Sequence, residues 1–400
     1  MKTFYNGGLD IFELNINNEK YYYNDYENKI SKNIENVENS VNGNLKSIKE
    51  KDYIFIKIIP SNRCNLECKY CFSKLDRKGE ILDFNGIKQL LLKFKRENNK
   101  IVISFTGGGE PTTNFDCIKK IVELFKNHDD VTFNITTNGV FTESIKLFLI
   151  ENKFNVAISI DGDYESSLLE QNDKYTAKKH RVALNNALDL KKSGIEVTIL
   201  SVITLELLMN NKNIQKDILE YFYKLDLKMV ALTFDSSIFL KELTIHQLDM
   251  IVNSCKEVIK WKQNHKDTVI LQNLIYSNKS IYNEDAICPS LFSFKKGLTI
   301  LPNGNMTFCH RVQNKEFQLH NYTNDGLTKF EESKSMKHII RKLKNQKKKC
   351  YSCISRQICM SQVCPAIYIN FYNEKDDLAY FCKNHEYIRK MLLSYILTNR

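Results

Sequence analysis

The chain has no uninterrupted apolar run of about 18 residues, the minimum for a membrane-spanning helix. Its first residues, Met-Lys-Thr-Phe-Tyr-Asn-Gly-Gly, lack the apolar core of a signal peptide. Both absences lead to the expectation of a cytoplasmic protein with no membrane contact. Reducing conditions there disfavour a disulfide framework, so the 12 cysteines are read first as metal ligands. There is no internal repeat beyond the strand–helix alternation described below, and no low-complexity linker. An acidic excess is lacking too. The net charge is +11, a balance that suits an acidic partner such as a peptide or nucleotide. Much of that charge comes from Lys in a Lys-, Asn- and Ile-rich composition, so no specific nucleic-acid surface is expected. With 42% apolar and 26% charged residues, the 400-residue chain reads as a soluble globular protein of two or more domains.

From residue 53 the sequence alternates between short β runs and amphipathic helical stretches. Runs at 53–60, 101–105, 131–136, 154–160, 196–203 and 229–234 are nearly continuous in apolar residues. Helical periodicity fills the gaps at 83–97, 114–126, 142–151, the stretch ending at Gly194, and 213–225. Apolar strands separated by helices form βαβ units and a parallel sheet buried on both faces. Six such units predict an α/β partial (βα)6 barrel of the TIM type, with its active site at the C-terminal strand ends. Thr244 and Gln247 have the spacing of a capping box and open a helix to about His265. The expected organisation is an N-terminal extension (1–50), the barrel (51–243), a helical bridge (244–285) and a cysteine-rich domain (286–400). Within the extension, Tyr21–Tyr23 is expected as a short strand and 30–48 as a polar helix, together covering one barrel edge.

Residues 61–72 read Ser-Asn-Arg-Cys-Asn-Leu-Glu-Cys-Lys-Tyr-Cys-Phe, placing Cys64, Cys68 and Cys71 in a C-x3-C-x2-C pattern. Three thiolates this close face one centre only if the chain curls around it. A structural zinc takes four ligands and a cubane iron–sulfur cluster is normally held by four cysteines, so a loop supplying three leaves one position open. The alternative is a zinc knob that borrows its fourth ligand from elsewhere.

The pattern resembles the signature of the radical S-adenosylmethionine (SAM) superfamily. The resemblance implies that SAM takes the open iron through its amino and carboxylate groups and is cleaved to a 5′-deoxyadenosyl radical. It also implies that Tyr70, before the third cysteine, lies along the adenine. After the second strand, Thr106-Gly107-Gly108-Gly109-Glu110-Pro111 is similar to the family's Gly-Gly-Glu-Pro motif, so Gly108, Gly109 and Glu110 are candidates for holding the SAM amino group. Thr136-Thr137-Asn138-Gly139 resembles the Thr-Asn-Gly of many peptide-modifying members and brings in Asn138. Ser159 is similar to their ribose- or carboxylate-contacting serine, and Asp161 is expected on the substrate side. Arg181 is a candidate partner of the SAM carboxylate. Ser201 and Thr204 end the fifth strand, and Thr204 joins the cofactor set. Strand-end turns that favour Asn, Asp and Gly are the plain structural alternative for the 136–139 and 159–162 stretches.

Seven cysteines return between 288 and 382: Cys288, Cys309, Cys350, Cys353, Cys359, Cys364 and Cys382. Their order resembles the SPASM domain of radical SAM peptide maturases, with one extra residue between Cys359 and Cys364. The resemblance implies an outer cluster on Cys350, Cys353, Cys359 and Cys382, and an inner one on Cys288, Cys309 and Cys364. A pair of zinc-ribbon-like sites is the alternative. Cys117 and Cys255 remain, both on apolar helix faces, and read as core thiols. The basic run 341–349 before Cys350 reads as a solvated helix end, or as a basic collar beside an anionic cluster. His310 follows Cys309, where the similar anaerobic sulfatase maturases carry a catalytic Asp. It is a candidate to accept or pass a proton.

The resemblance thus implies a radical SAM peptide maturase with three 4Fe-4S clusters and SAM. Its substrate would be a ribosomally synthesised precursor peptide, receiving a thioether or carbon–carbon crosslink or a related oxidation. An external donor such as flavodoxin or ferredoxin would supply electrons. Two alternatives stay open. One is the same chemistry on a sulfatase or a small molecule. The other is a non-enzymatic zinc or electron-transfer protein.

Overall fold

The computed structural model describes residues 2–6, 9–16, 19–24, 29–33, 35, 53–71, 73, 79–169, 176–272, 274–275, 297–312, 314–320, 322–350, 353–355, 366, 369 and 377–398. An antiparallel sheet comes first, with strands β1 (Lys2–Asn6), β2 (Leu9–Ile16), β3 (Glu19–Asn24) and β4 (Lys29–Ser31) in that order. The expected strand at Tyr21–Tyr23 is the centre of β3. Ile30 belongs to β4, and the polar helix expected over 30–48 lies outside the described residues from 36 onward.

The main sheet has nine strands. Six of them are the apolar runs of the sequence: β5 (Tyr53–Ile58), β6 (Lys100–Phe105), β7 (Val131–Thr137), β8 (Asn155–Ser159), β9 (Val197–Ile203) and β10 (Met229–Phe234). All pair in parallel and in chain order. The sheet then grows at both edges. β11 (Val269–Gln272) adds in parallel beyond β10, and β12 (Gly297–Ile300) adds in parallel to β5, followed by antiparallel β13 (Met306–Thr307). The six expected units are present and, as a partial barrel requires, the sheet is not closed; two further parallel strands, β11 and β12, join its edges from the segments that follow.

Helices α1 (Phe84–Glu97), α2 (Phe115–Leu124), α3 (Glu143–Glu151), α4 (Tyr164–Leu169), α5 (Ala177–Lys192), α6 (Leu205–Asn210) and α7 (Ile214–Lys224) make the crossovers. They cover one face of the sheet. Strand period two decides which residues they bury. Ile54, Ile56 and Ile58 of β5, Ile101 and Ile103 of β6, and Ile199 of β9 are essentially inaccessible and pack against Leu91, Phe94, Leu149 and Phe222 of the helices. The intervening residues, including Lys57, Ser104, Asn134, Ser159 and Thr198, line the opposite, concave face.

α8 (Ile245–Asn264) opens with the expected capping box: Gln247 N–H donates to Thr244 Oγ1 and Thr244 N–H to Gln247 Oε1. Further on come α9 (Asn324–Glu331), α10 (Lys334–Cys350) and α11 (Asp377–Thr398). α11 docks beside α8. The Tyr387 hydroxyl donates to Asp249 Oδ1 at 2.7 Å, and Asn384 Nδ2 donates to the Phe239 and Lys241 carbonyls. The C-terminal segment thus grips the open sheet twice, through β12 beside β5 and through α11 beside α8. Among the described residues no helix is long and apolar enough to cross a membrane.

Candidate active site

The 61–71 loop after β5 is hydrogen-bonded to the turns after β6, β7 and β8. Its three thiols, Cys64, Cys68 and Cys71, are half-buried. Among the described residues no three His, Cys, Asp or Glu side chains converge as a single ion would require. A cubane spaces its thiolates across a whole cluster, so the loop is not asked to close that tightly.

The turn after β6 lies against this loop. Gly109 N–H donates to the Ser61 carbonyl at 2.9 Å and Glu110 N–H to the Arg63 carbonyl at 2.8 Å. A Cβ on Gly109 would stand 1.9 Å from the Arg63 carbonyl oxygen, so only glycine permits the approach. Gly108 has φ +120°, and a Cβ there would meet Asn62 Oδ1 at 2.4 Å. That Asn62 oxygen is buried and has no hydrogen-bond partner among the described residues.

Glu110 is 3% exposed, and its carboxylate accepts four hydrogen bonds. Thr112 N–H, Thr112 Oγ1 and Thr137 Oγ1 reach Oε1, while Asn138 N–H reaches Oε2 at 2.8 Å. Burial raises its pKa, against the pull of those donors. The residue therefore clamps the turn after β6 to the turn after β7. Asn138 completes the link to the cysteine loop: its Nδ2 donates to Asn65 Oδ1 at 2.6 Å and lies 3.9 Å from Cys64 Sγ.

Asp161, beyond β8, is also 3% exposed. It accepts Val202 N–H from β9 at 2.9 Å and the Tyr70 hydroxyl at 2.8 Å. Burial pushes its carboxyl up to about 6, with those two hydrogen bonds pulling the other way. Asp161 was expected on the substrate side; one of its oxygens is anchored to β9 and the other fixes Tyr70, the residue before Cys71. Ser159 ends β8, half-buried on the concave face. Thr204 caps α6, accepting Leu207 N–H at 3.1 Å.

The structure puts Arg181 on the exposed side of α5. Its neighbours turn to the site instead: Lys179 Nζ donates to the Asn65 carbonyl at 3.0 Å, and His180 is buried with Nε2 3.1 Å from the Gly162 carbonyl. Lys179, Asn65 and Thr137 were missed as site residues, although each lies within or beside a stretch that the sequence singled out.

His310 Nδ1 lies 3.2 Å from Lys57 Nζ of β5. Burial, with the Lys57 and Arg311 cations, holds its pKa well below the ordinary histidine range, so the ring is neutral. Of the second cysteine set, Cys309, Cys353 and Cys382 are half-buried, and Cys382 lies on α11. Cys350 is described only as the last residue of α10, and Cys288, Cys359 and Cys364 lie outside the described residues. Cys117 and Cys255 are the core thiols expected, both pushed up to about 12 by burial.

The N-terminal donor set fits the cluster and SAM that the resemblance implies. Three thiols share one pinned loop, a glycine turn leaves backbone open beside it, and an orphaned acceptor sits at Asn62.

Comparison with known proteins agrees. Residues 58–222 match the model of the radical SAM superfamily, and 288–354 match SPASM, an iron–sulfur cluster-binding domain. The radical SAM cyclopropyl synthase TigE of Paramaledivibacter caminithermalis is 28% identical over 193 residues, covering 42% of this chain and 36% of that protein. A cysteine-type anaerobic sulfatase-maturating enzyme of Clostridium perfringens is 27% identical over 182 residues, covering 42% and 48%. The match thus spans half or less of these relatives' length. Among solved structures, anSMEcpe with bound AdoMet superposes with a TM-score of 0.66 at 20% identity, covering 86% of this chain and 94% of that one. Streptococcus suis SuiB bound to precursor peptide SuiA gives 0.55 at 17% identity, covering 81% and 74%. At these identities the likeness is one of fold.

Proposed function

Because the chain carries a radical SAM domain followed by an iron–sulfur SPASM domain, we propose that it modifies a ribosomally synthesised precursor peptide, installing a thioether or carbon–carbon crosslink or a related oxidation. The observation that carries this reading is the cysteine loop held at the strand ends by Glu110, Asn138, Asp161 and Lys179. When bound, a cubane cluster with one iron left to SAM supplies one-electron cleavage of a carbon–sulfur bond and a hydrogen-abstracting 5′-deoxyadenosyl radical.

The residues have the following roles in this reading. Cys64, Cys68 and Cys71 hold the cluster. Gly108 and Gly109 bring backbone up to the cofactor, and Glu110 fixes that turn. Asn62 Oδ1 is free to accept from the SAM ammonium. Tyr70, steadied by Asp161, lies along the adenine. Ser159, Thr204 and Arg181 complete the cofactor set, with Arg181 turning inward from its exposed place. Cys288, Cys309 and Cys364 hold an inner auxiliary cluster, and Cys350, Cys353, Cys359 and Cys382 an outer one. Neutral His310 is placed to take a proton from substrate. A flavodoxin or ferredoxin supplies electrons, and the protein works in the cytoplasm.

A peptide substrate is supported by two structural neighbours that hold one, SuiB with its precursor and anSMEcpe with the Cp18Cys peptide. An open concave sheet face suits an extended chain. Sulfatase maturation is the second reading, favoured by the Clostridium perfringens relative; His310 in the place of the maturases' Asp speaks against it. Both are tested by supplying the anaerobic, reconstituted enzyme with SAM, reductant and the short peptide encoded beside its gene. Loss of two hydrogens from that peptide is expected. An unchanged peptide, with a sulfatase cysteine or serine peptide oxidised instead, would transfer the assignment to the second reading.

A further inference from the structure

The C-terminal segment lays a polar row against the barrel. Register pairs Thr307 with Thr299, Thr299 with Lys57, and Lys57 with Ser104. Paired residues share a face of the sheet. The residues between them, Met306, Leu298, Ile300, Ile56 and Ile58, all turn into the apolar core. Cys309, two residues beyond Thr307, is half-buried at the edge of that core. The 3.2 Å contact of His310 with Lys57 brings the residue next to Cys309 over the same row.

This row is rich in donors and short of acceptors. Thr299 and Thr307 are fully buried, and neither hydroxyl has a hydrogen-bond partner among the described residues. The contacts of the Lys57 ammonium among the described residues are the His310 ring and the face of Phe55, 5.9 Å away. Neither carries negative charge. Buried hydroxyls and a partly buried cation call for an anion with several acceptor atoms.

We propose that Thr299, Thr307 and Lys57 donate to the sulfides and cysteine sulfurs of the auxiliary cluster that Cys309 holds, and so raise its reduction potential. This rests on the reading of Cys309 as a cluster ligand. Reduction adds negative charge to the cluster, and hydrogen bonds and a nearby cation favour the reduced form. The cluster is then ready to accept the electron left on the substrate after bond formation. Sequence alone hides this row, because its members come from positions 57, 299 and 307.

The test is an EPR-monitored redox titration of the full chain carrying Cys64→Ala, Cys68→Ala and Cys71→Ala, so that only the auxiliary sites contribute. Into it are placed Thr299→Val, Thr307→Val, the double Val variant and Lys57→Met. Unchanged iron and sulfide content is expected, with one auxiliary potential moved to more negative values, furthest in the double variant, and restored by Thr307→Ser. Hydroxyls that were orphans and nothing more would give valine variants of higher thermal stability and unaltered potential; assembled clusters with unshifted potentials overturn the proposal. A parent protein without C-terminal iron overturns the earlier reading of Cys309, and is told apart by the iron count.

Discussion

A single methyl group at Gly109 is expected to unseat the cysteine loop. Its Cβ would fall 1.9 Å from the Arg63 carbonyl oxygen and 2.7 Å from the Asn62 carbonyl carbon, both backbone atoms that cannot rotate away. The turn after β6 must then retreat, and the two hydrogen bonds from Gly109 and Glu110 N–H to Ser61 and Arg63 stretch or break. Losing each bond costs about 1 kcal/mol, and forced overpacking adds about 1–3 kcal/mol. A total of about 3 kcal/mol lowers the occupancy of the seated loop roughly a hundredfold. Gly107→Ala is the control. The nearest atom to its Cβ is the Gly109 carbonyl oxygen at 3.7 Å, an ordinary contact. Both variants are to be reconstituted anaerobically and compared for iron content and for SAM affinity by equilibrium dialysis. Gly109→Ala should lose SAM binding by one to two orders of magnitude while Gly107→Ala keeps it. Parent-like affinity in Gly109→Ala would refute the idea that this turn and this loop are one unit.

The Asp161 carboxyl, raised from 3.8 to about 6 by burial, makes stability fall as pH rises. Below the lower value both states hold the proton; above the upper one the folded state bears the full cost, about 3 kcal/mol at about 1.4 kcal/mol per unit. Asp161→Asn should therefore gain on the parent in urea midpoint between pH about 4 and about 7.5; equal differences at both pH values would contradict this. Cys117 and Cys255, raised to about 12 by burial, should resist iodoacetamide in the native apo-protein at neutral pH while Cys64, Cys68 and Cys71 are alkylated. Mass spectrometry of the digest reads the result, and equal labelling would place the two core thiols elsewhere.

Strands β5 to β10 were legible because each is a short β run between helical stretches whose alternate residues are apolar and buried against the helices. β11 was not. Its four residues alternate, with Val269 and Leu271 exposed and Ile270 and Gln272 buried, and only the neighbouring edge of β10 makes it a strand. β12 pairs with β5 across more than 200 residues, a contact no local pattern announces. At the site, residue types and spacing marked out the cysteine loop and the Gly-rich turn. The partners of Glu110 and Asp161 outside their own turns were hidden, since they come from segments distant in sequence. Thr137, Tyr70 and Val202 turn out to hold those two acids. Arg181 drew attention as a candidate partner of the SAM carboxylate. Helical phase instead points Lys179 at the loop and leaves Arg181 outside.

The most direct check is chemical. The anaerobically loaded protein, given SAM and dithionite without any substrate, should release 5′-deoxyadenosine, and Cys68→Ala should release none. Absence of deoxyadenosine from the parent, or equal release from the Cys68 variant, would contradict the assignment of this loop as the place where SAM is cleaved.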